Sequence, residues 1–268
     1  PTQKLVRRIF SRGSWELNGR FYGPWWQQLG SEWRSKIFIN DAPTVELDFQ
    51  ALHLHLMAAQ EGKCLKEDPY NLPKNTVPGT PDVLQRQIVK TLLLTAINAK
   101  DRKSAFGAFR ESWGVDHMAK RLTNHELTEV LEAVLERQPF LRARLFNDEG
   151  IGLMHIDSQI TDRVFQRATA FKIPVLGVHD SFIVDFRRVR GLRILMAVAA
   201  QEVVGQHLPV KTSDPEAETL PFLTYHSSRQ VPRSPGYIER MEDHVSEHGP
   251  LPDVKTPVAL GEHEQSAA

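Results

Sequence analysis

Two aspartates and a basic pair carry the chemistry that this sequence offers. Asp180 stands in "LGVHDSFIV", residues 176–184, a His-Asp-Ser step between apolar runs. Val175, Leu176 and Val178 before it, and Phe182, Ile183 and Val184 after it, read as buried strand. A bare carboxylate among such residues is costly unless something pairs with it or ligates it. The step therefore reads as the tip of a tight strand-turn-strand, with Asp180 where two strands meet solvent. Asp48 ends a second, alternating strand, "APTVELDF", after which the chain turns helical as "LHLHLMAAQ". Arg86 and Lys90 lie one helical turn apart, and Leu94 and Asn98 continue at steps of four along the same slowly drifting stripe.

Aspartates on neighbouring antiparallel strands can bracket magnesium, which takes hard oxygen ligands, typically one or two carboxylates plus substrate phosphate. Two such ions about 3.5–4 Å apart can activate an attacking oxygen and stabilise a leaving one. Arginine forks onto phosphate oxygens and lysine acts as a movable point charge, so Arg86 and Lys90 suit a triphosphate. The bland alternatives stand beside this reading. Asp48 alone fits a helix cap, Asp180 a turn residue, and Arg86 with Lys90 the solvent face of a helix. His53 and His55 make a zinc-type pair if His155, His179 and Asp180 converge on it, which would indicate a hydrolase.

The elements that must position these residues follow from pattern and punctuation. "NGRFYGPWWQQLG" reads as loop and short strand, its aromatics serving as core or as a stacking platform. "EWRSKIFIND" and "APTVELDF" read as a hairpin turning at Asn40-Asp41-Ala42-Pro43. Residues 63–81 hold Pro69, Pro73, Pro78, Gly79 and Pro81 and read as loop. "TPDVLQRQIVKTLLLTAINA" predicts a helix with Thr80 as N-cap and Pro81 in first position. "LTNHELTEVLEAVLERQ" predicts another, capped by Thr123-Asn124. "DSQITDRVFQRATAFK" is a third helix running into the hairpin "IPVLGVHDSFIVDF", and "RGLRILMAVAAQEVVGQHL" a fourth. Hairpins mixed with separate helices indicate an α+β fold. Beyond residue 209 prolines crowd together among acidic and small residues. Residues 209–268 therefore read as an extended or disordered tail that offers a protein partner a binding segment, after a domain at 1–208.

The chain of 268 residues has no net formal charge, which argues against a protein that binds nucleic acid by bulk charge alone. Basic residues nonetheless cluster at Lys4–Arg20, Arg86–Arg110 and Arg187–Arg193. No apolar run approaches a membrane span. No charged-then-apolar leader is visible, although numbering that opens at Pro1 rather than Met fits a piece of a longer protein. A single cysteine, Cys64, excludes an internal disulfide and reads as a reduced thiol, so the expected compartment is the cytoplasm.

These motifs resemble the polymerase superfamily of family A DNA polymerases and phage-type single-subunit RNA polymerases. "LDFQALHLHL" resembles motif A, the helix with Arg86, Lys90 and Leu94 resembles motif B, and "VHDSF" resembles motif C in its RNA-polymerase form. "HIDSQITDRVFQRATAFKI" resembles the helix preceding motif C, and "NGRFYG" the Gly-Arg element upstream of motif A. The likeness covers roughly residues 18–200 and departs from the family at Asn98-Ala99, where Tyr-Gly is expected, and at His53, where the DNA enzymes carry Glu. It implies a palm with reduced helical fingers and a template-dependent nucleotidyltransferase that joins a nucleoside triphosphate to a 3′-hydroxyl on a primer-template. It implies Asp48, Asp180 and the Phe49 carbonyl as ligands of two magnesium ions, with manganese an alternative. Lys90 and His179 would be catalytic. Arg86, Lys90, Leu94, Asn98, His53, Gln50 and Arg20 would bind substrate. A polymerase-derived binding module without catalysis is the alternative.

Overall fold

The computed structural model describes residues 3–40 and 42–213, together with Ser246. Within these, the chain is mixed α+β with antiparallel sheets, as its pattern predicts. It opens on a hairpin of β1 (Arg7–Ser11) and β2 (Ser14–Tyr22), where a loop and short strand are expected. The short strand expected in "NGRFYGPWWQQLG" is the end of β2, with loop following it, and the pairing with β1 is an addition; Gly19 interrupts the alternation. Its positive φ of 84° sits where the β1–β2 register slips between Ile9 and Phe10, as a bulge requires. A Cβ there would lie 2.8 Å from Ser158 Oγ and 2.9 Å from the Phe10 ring, so only glycine fits.

A short helix α1 (Ser31–Arg34) then leads to β3 (Phe38–Ile39) and β4 (Ala42–Phe49). The turn is tighter than expected, since Ile39 already pairs with Ala42 and Phe38 with Pro43. Along β4, Val45, Leu47 and Phe49 are buried while Asp48 is half-buried, the alternation of a strand with one covered face. Helix α2 (Leu52–Gln60) follows, and Ala51 makes the corner in the left-handed region at φ 44°. A non-glycine residue there is uncommon.

Helix α3 (Asp82–Asn98) buries Ile88, Val89, Leu92, Leu93, Ala96 and Ile97 and leaves Arg86, Lys90 and Asn98 exposed. Its N-cap is Pro81 rather than Thr80, and no side chain caps it. Buried Gln85 instead anchors the preceding loop, accepting from Val77 N and donating to the Pro73 carbonyl at 3.0 Å each. Helix α4 (Arg102–Glu111) is an unforeseen addition, a short segment carrying Gly107 and capped by Asp101. Helix α5 (Asn124–Arg137) begins with a reciprocal Thr123–Glu126 capping box.

Helix α6 (Gly150–Ala170) starts seven residues before the expected Asp157. It leads into β5 (Val175–Val178) and β6 (Ser181–Asp185), which are joined by His179-Asp180 as a two-residue turn. Helix α7 (Val189–Val204) packs on β4 and β6. The main sheet runs β3-β4-β6-β5, and β7 (Val210–Thr212) pairs with β4 beside the Asp48 end.

That last strand corrects the expected tail boundary. Residues 210–212 belong to the sheet, held also by Arg193 Nη1 donating to the Val210 carbonyl at 2.9 Å. The rest of the expected tail lies outside the described residues, Ser246 apart. No helix among the described residues is long and apolar enough to cross a membrane. Cys64 is an exposed free thiol.

Candidate functional site

The β4–β6 ladder sets the site. Thr44 pairs with Asp185, Leu47 with Phe182 and Asp48 with Ser181. Asp180 precedes Ser181 at the turn, so both carboxylates stand at one end of the sheet. The Phe49 amide donates to the Asp180 carbonyl at 3.4 Å, tying the two strand ends together. Both aspartates line one cavity of about 550 Å³, within the size range of small-molecule sites. Arg20, Phe49, Gln50, His53, Arg86, Lys90, Leu94 and Asn98 line the same cavity. Of the residues expected to hold metal or substrate or to act in catalysis, His179 alone is not among its lining, and His155 of the zinc-type set lines a different cavity. The His179 ring packs on Tyr22 at 5.2 Å, its φ is 58°, and its carbonyl accepts from Thr161 Oγ1 at 3.2 Å. His179 thus shapes the turn that presents Asp180.

Each cavity residue is placed by a local cause. The unbroken step of four on α3 turns Arg86, Lys90, Leu94 and Asn98 to one side while the apolar residues go to the core. Asn98 donates its side-chain amide to the Leu94 carbonyl at 2.7 Å and closes that stripe. Gly19 lets β2 touch α6, which brings Arg20 to Asp157 at 2.5 Å. Asp157 is 1% exposed and Arg20 14%. Ser181 is buried and donates to Glu46 Oε1 at 2.6 Å, and Arg34 grips the same Glu46 carboxylate through two bonds of 3.0 Å. The Ser of the His-Asp-Ser step is therefore a fastener behind the site. Of the aromatics of "FYGPWWQ", Trp26 is core: it is buried and donates Nε1 to the Gly177 carbonyl at 3.0 Å, while Phe21, Tyr22 and Trp25 are half-buried.

Electrostatics concentrate here. Burial raises the Asp48 pKa, the Asp180 charge raises it further, and Lys211 Nζ at 3.1 Å opposes both. Burial pushes Asp157 up to about 7, against the pull of Arg20 and with the help of Asp180. Burial takes His53 down to about 4, with Arg20 adding to the effect. Burial thus favours the neutral ring, and neither ring nitrogen has a hydrogen-bond partner among the described residues. His55 and His179 are also lowered, chiefly by burial.

Three residues at this site carried no local signal that singled them out. Lys211 pairs with Asp48, and Asp68 pairs with Arg86 at 2.5 Å. Tyr70 lies beneath the Arg86 guanidinium, 5.4 Å from its ring centre. Asp157 had one available clue, since an aspartate on the stripe of Leu153, Ile160, Val164 and Ala168 must find a buried partner.

The two carboxylates are hard oxygen donors of the kind a divalent cation takes. They face each other's charge in a partly buried place, and an ammonium already balances one of them. Among the described residues no group of three or more His, Cys, Asp or Glu is poised for a metal. The five-residue zinc set is therefore not assembled, whereas magnesium needs only one or two carboxylates when phosphate completes the shell.

No family model matches the chain, and no curated protein sequence does. Among solved structures it is similar to the POL domain of Pol1 from M. smegmatis, in complex with DNA primer-template and dNTP. Identity is 11%, the TM-score is 0.44, and the match covers 73% of this chain. The matched part is 45% of the length of that chain. A likeness of this depth carries no argument about what this chain does.

Proposed function

We propose that this protein is a template-dependent nucleotidyltransferase, joining a nucleoside triphosphate to the 3′-hydroxyl of a primer. One observation carries the reading: Asp48 and Asp180, distant in sequence, meet at adjoining strand ends on the cavity that Arg86 and Lys90 also line. The order and local structure of these motifs, and their resemblance to polymerase motifs A, B and C, support it.

Asp48 and Asp180 would hold magnesium, with the Phe49 carbonyl as a further oxygen ligand. When bound, such ions lower the charge barrier at the attacking and leaving oxygens. Arg86 would fork onto the triphosphate and Lys90 would supply a mobile positive charge at the departing pyrophosphate. Arg20, fixed by Asp157, presents a guanidinium on the same wall for a backbone phosphate of the nucleic acid. His53, kept neutral by burial and without a hydrogen-bond partner among the described residues, offers hydrogen-bonding capacity to the nucleotide. Gln50, Leu94 and Asn98 complete its surroundings.

Primer extension in magnesium tests this. Wild-type protein adds nucleotides to a primer-template, and Asp180→Asn lowers the rate by at least about 100-fold, a loss typical of removing one charge-stabilising group. Absence of extension by the wild type, with DNA and RNA primer-templates and with both nucleotide types, overturns the proposal.

A further inference from the structure

The two charges that would meet the substrate are each already matched from within. Arg86 Nε lies 2.5 Å from Asp68 Oδ2, and Asp48 Oδ2 lies 3.1 Å from Lys211 Nζ. A carboxylate sits on the group suited to triphosphate, and an ammonium on the group suited to a divalent cation. We propose that Asp68 and Lys211 are built-in stand-ins for triphosphate and metal, positioning Arg86 and Asp48 until substrate displaces both. The inference rests on the phosphoryl-transfer reading of the same cavity.

Geometry supports displacement of the side chains alone. Lys211 is paired by register with Asp48 across β4 and β7, so its backbone is tethered while its side chain, 57% exposed, can swing out. The Asp68 carbonyl accepts from the Asn71 amide at 3.1 Å and holds the backbone in a turn, whereas Asp68 Oδ1 accepts from the Tyr70 amide at 3.0 Å, a bond the carboxylate must also loosen to swing away. Arg86 keeps the Tyr70 ring beneath it when Asp68 leaves, so it stays aimed at the cavity. The Arg86–Asp68 pair is 46% and 38% exposed. Ion pairs this open to solvent contribute little, so opening them costs little.

The arrangement has a thermodynamic consequence. Metal alone must expel Lys211 and leave that ammonium beside a new cation. Triphosphate alone must expel Asp68 and leave that carboxylate beside a new anion. Bound together, each ligand relieves the charge displaced by the other. Binding of one therefore favours binding of the other, and this coupling is reciprocal.

Two probes read this without turnover, on the full chain. Manganese alone is titrated and free ion followed by electron paramagnetic resonance. Inorganic tripolyphosphate is titrated in EDTA by calorimetry. Lys211→Met is expected to bind manganese about 2- to 5-fold tighter than wild type, and Asp68→Asn to bind tripolyphosphate tighter by a similar factor. Unchanged thermal unfolding of both variants shows that the fold is kept.

If manganese binding is lost in Asp180→Asn yet unmoved by Lys211→Met, or either variant fails to tighten its own ligand, the stand-in role is overturned while the metal site stands. If Asp180→Asn leaves manganese binding intact, the metal-site reading and the inference fall together.

Discussion

Asp48 and Ser181 are direct partners across the β4–β6 ladder. This register puts Asp180, the residue before Ser181, level with the end of β4. A slip of one residue would exchange Phe182 and Val184, which pack in the main core, with Ser181 and Ile183 on the opposite face, so packing and site geometry are fixed by the same pairing.

The basic face of α3 gives the first prediction. On the proposed function, Arg86→Ala and Lys90→Ala would remove charge-assisted contacts to triphosphate while leaving the two aspartates in place. Each is expected to reduce kcat/KM for the nucleotide by about 10- to 100-fold, read in steady-state primer extension. An unchanged kcat/KM in both variants would show that this face does not meet the nucleotide.

Opposed pH dependences are the second. Asp157, ordinarily near 3.8, is pushed up to about 7 in the fold. Its contribution is full below its unfolded value and fades as pH rises through about 7. His53, ordinarily near 6.5, is lowered to about 4, so its contribution is full above 6.5 and fades as pH falls through about 4. Between pH 4 and 6.5 the two slopes oppose each other. Urea unfolding across pH 4–7.5 should show His53→Leu losing stability with rising pH relative to wild type, and Asp157→Asn gaining it. Slopes equal to that of wild type would contradict these shifts.

The same buried pair sets a stability expectation. Asp157→Ala strands the Arg20 guanidinium in a mostly buried place, at a cost of about 3–5 kcal/mol in chemical denaturation. A loss below about 1 kcal/mol would mean that water reaches Arg20 once its partner is gone.

Gly177 is the fourth test. A Cβ there would lie 2.5 Å from Phe165 Cζ, a ring that also packs edge-on against Phe182 at 6.0 Å. Gly177→Ala should destabilise the protein by about 1–3 kcal/mol through overpacking. Because the Gly177 carbonyl receives both Trp26 and Gln27, the turn bearing Asp180 should shift with it. The readout is weakened manganese binding in a variant that keeps Asp48 and Asp180, the proposed metal ligands.

The Thr123 cap makes the last prediction. Thr123→Ala removes the side-chain oxygen that accepts from Glu126 N at 3.2 Å. The unfolding midpoint is expected to fall by about 2–4 °C with primer extension unchanged, since α5 contributes no residue to the cavity lining.

Local pattern by itself determined the parts that depend on near neighbours. Alternation made β4 and placed Asp48 at its end, a step of four gathered Arg86, Lys90, Leu94 and Asn98, and a polar step between apolar runs marked the His179-Asp180 turn. The start of α3 and the N-terminal hairpin are less legible, because Gln85 and Gly19 act there through contacts with other segments of the chain. Only the tertiary structure decided which charges meet. Lys211 reaches Asp48 because β7 returns to the edge of β4, Asp68 reaches Arg86 because Gln85 pins the loop, and Arg20 reaches Asp157 because a glycine lets a strand touch a helix. Pairing between distant charges leaves no periodic trace in a sequence, since it depends on where the backbone passes rather than on what lies one turn away.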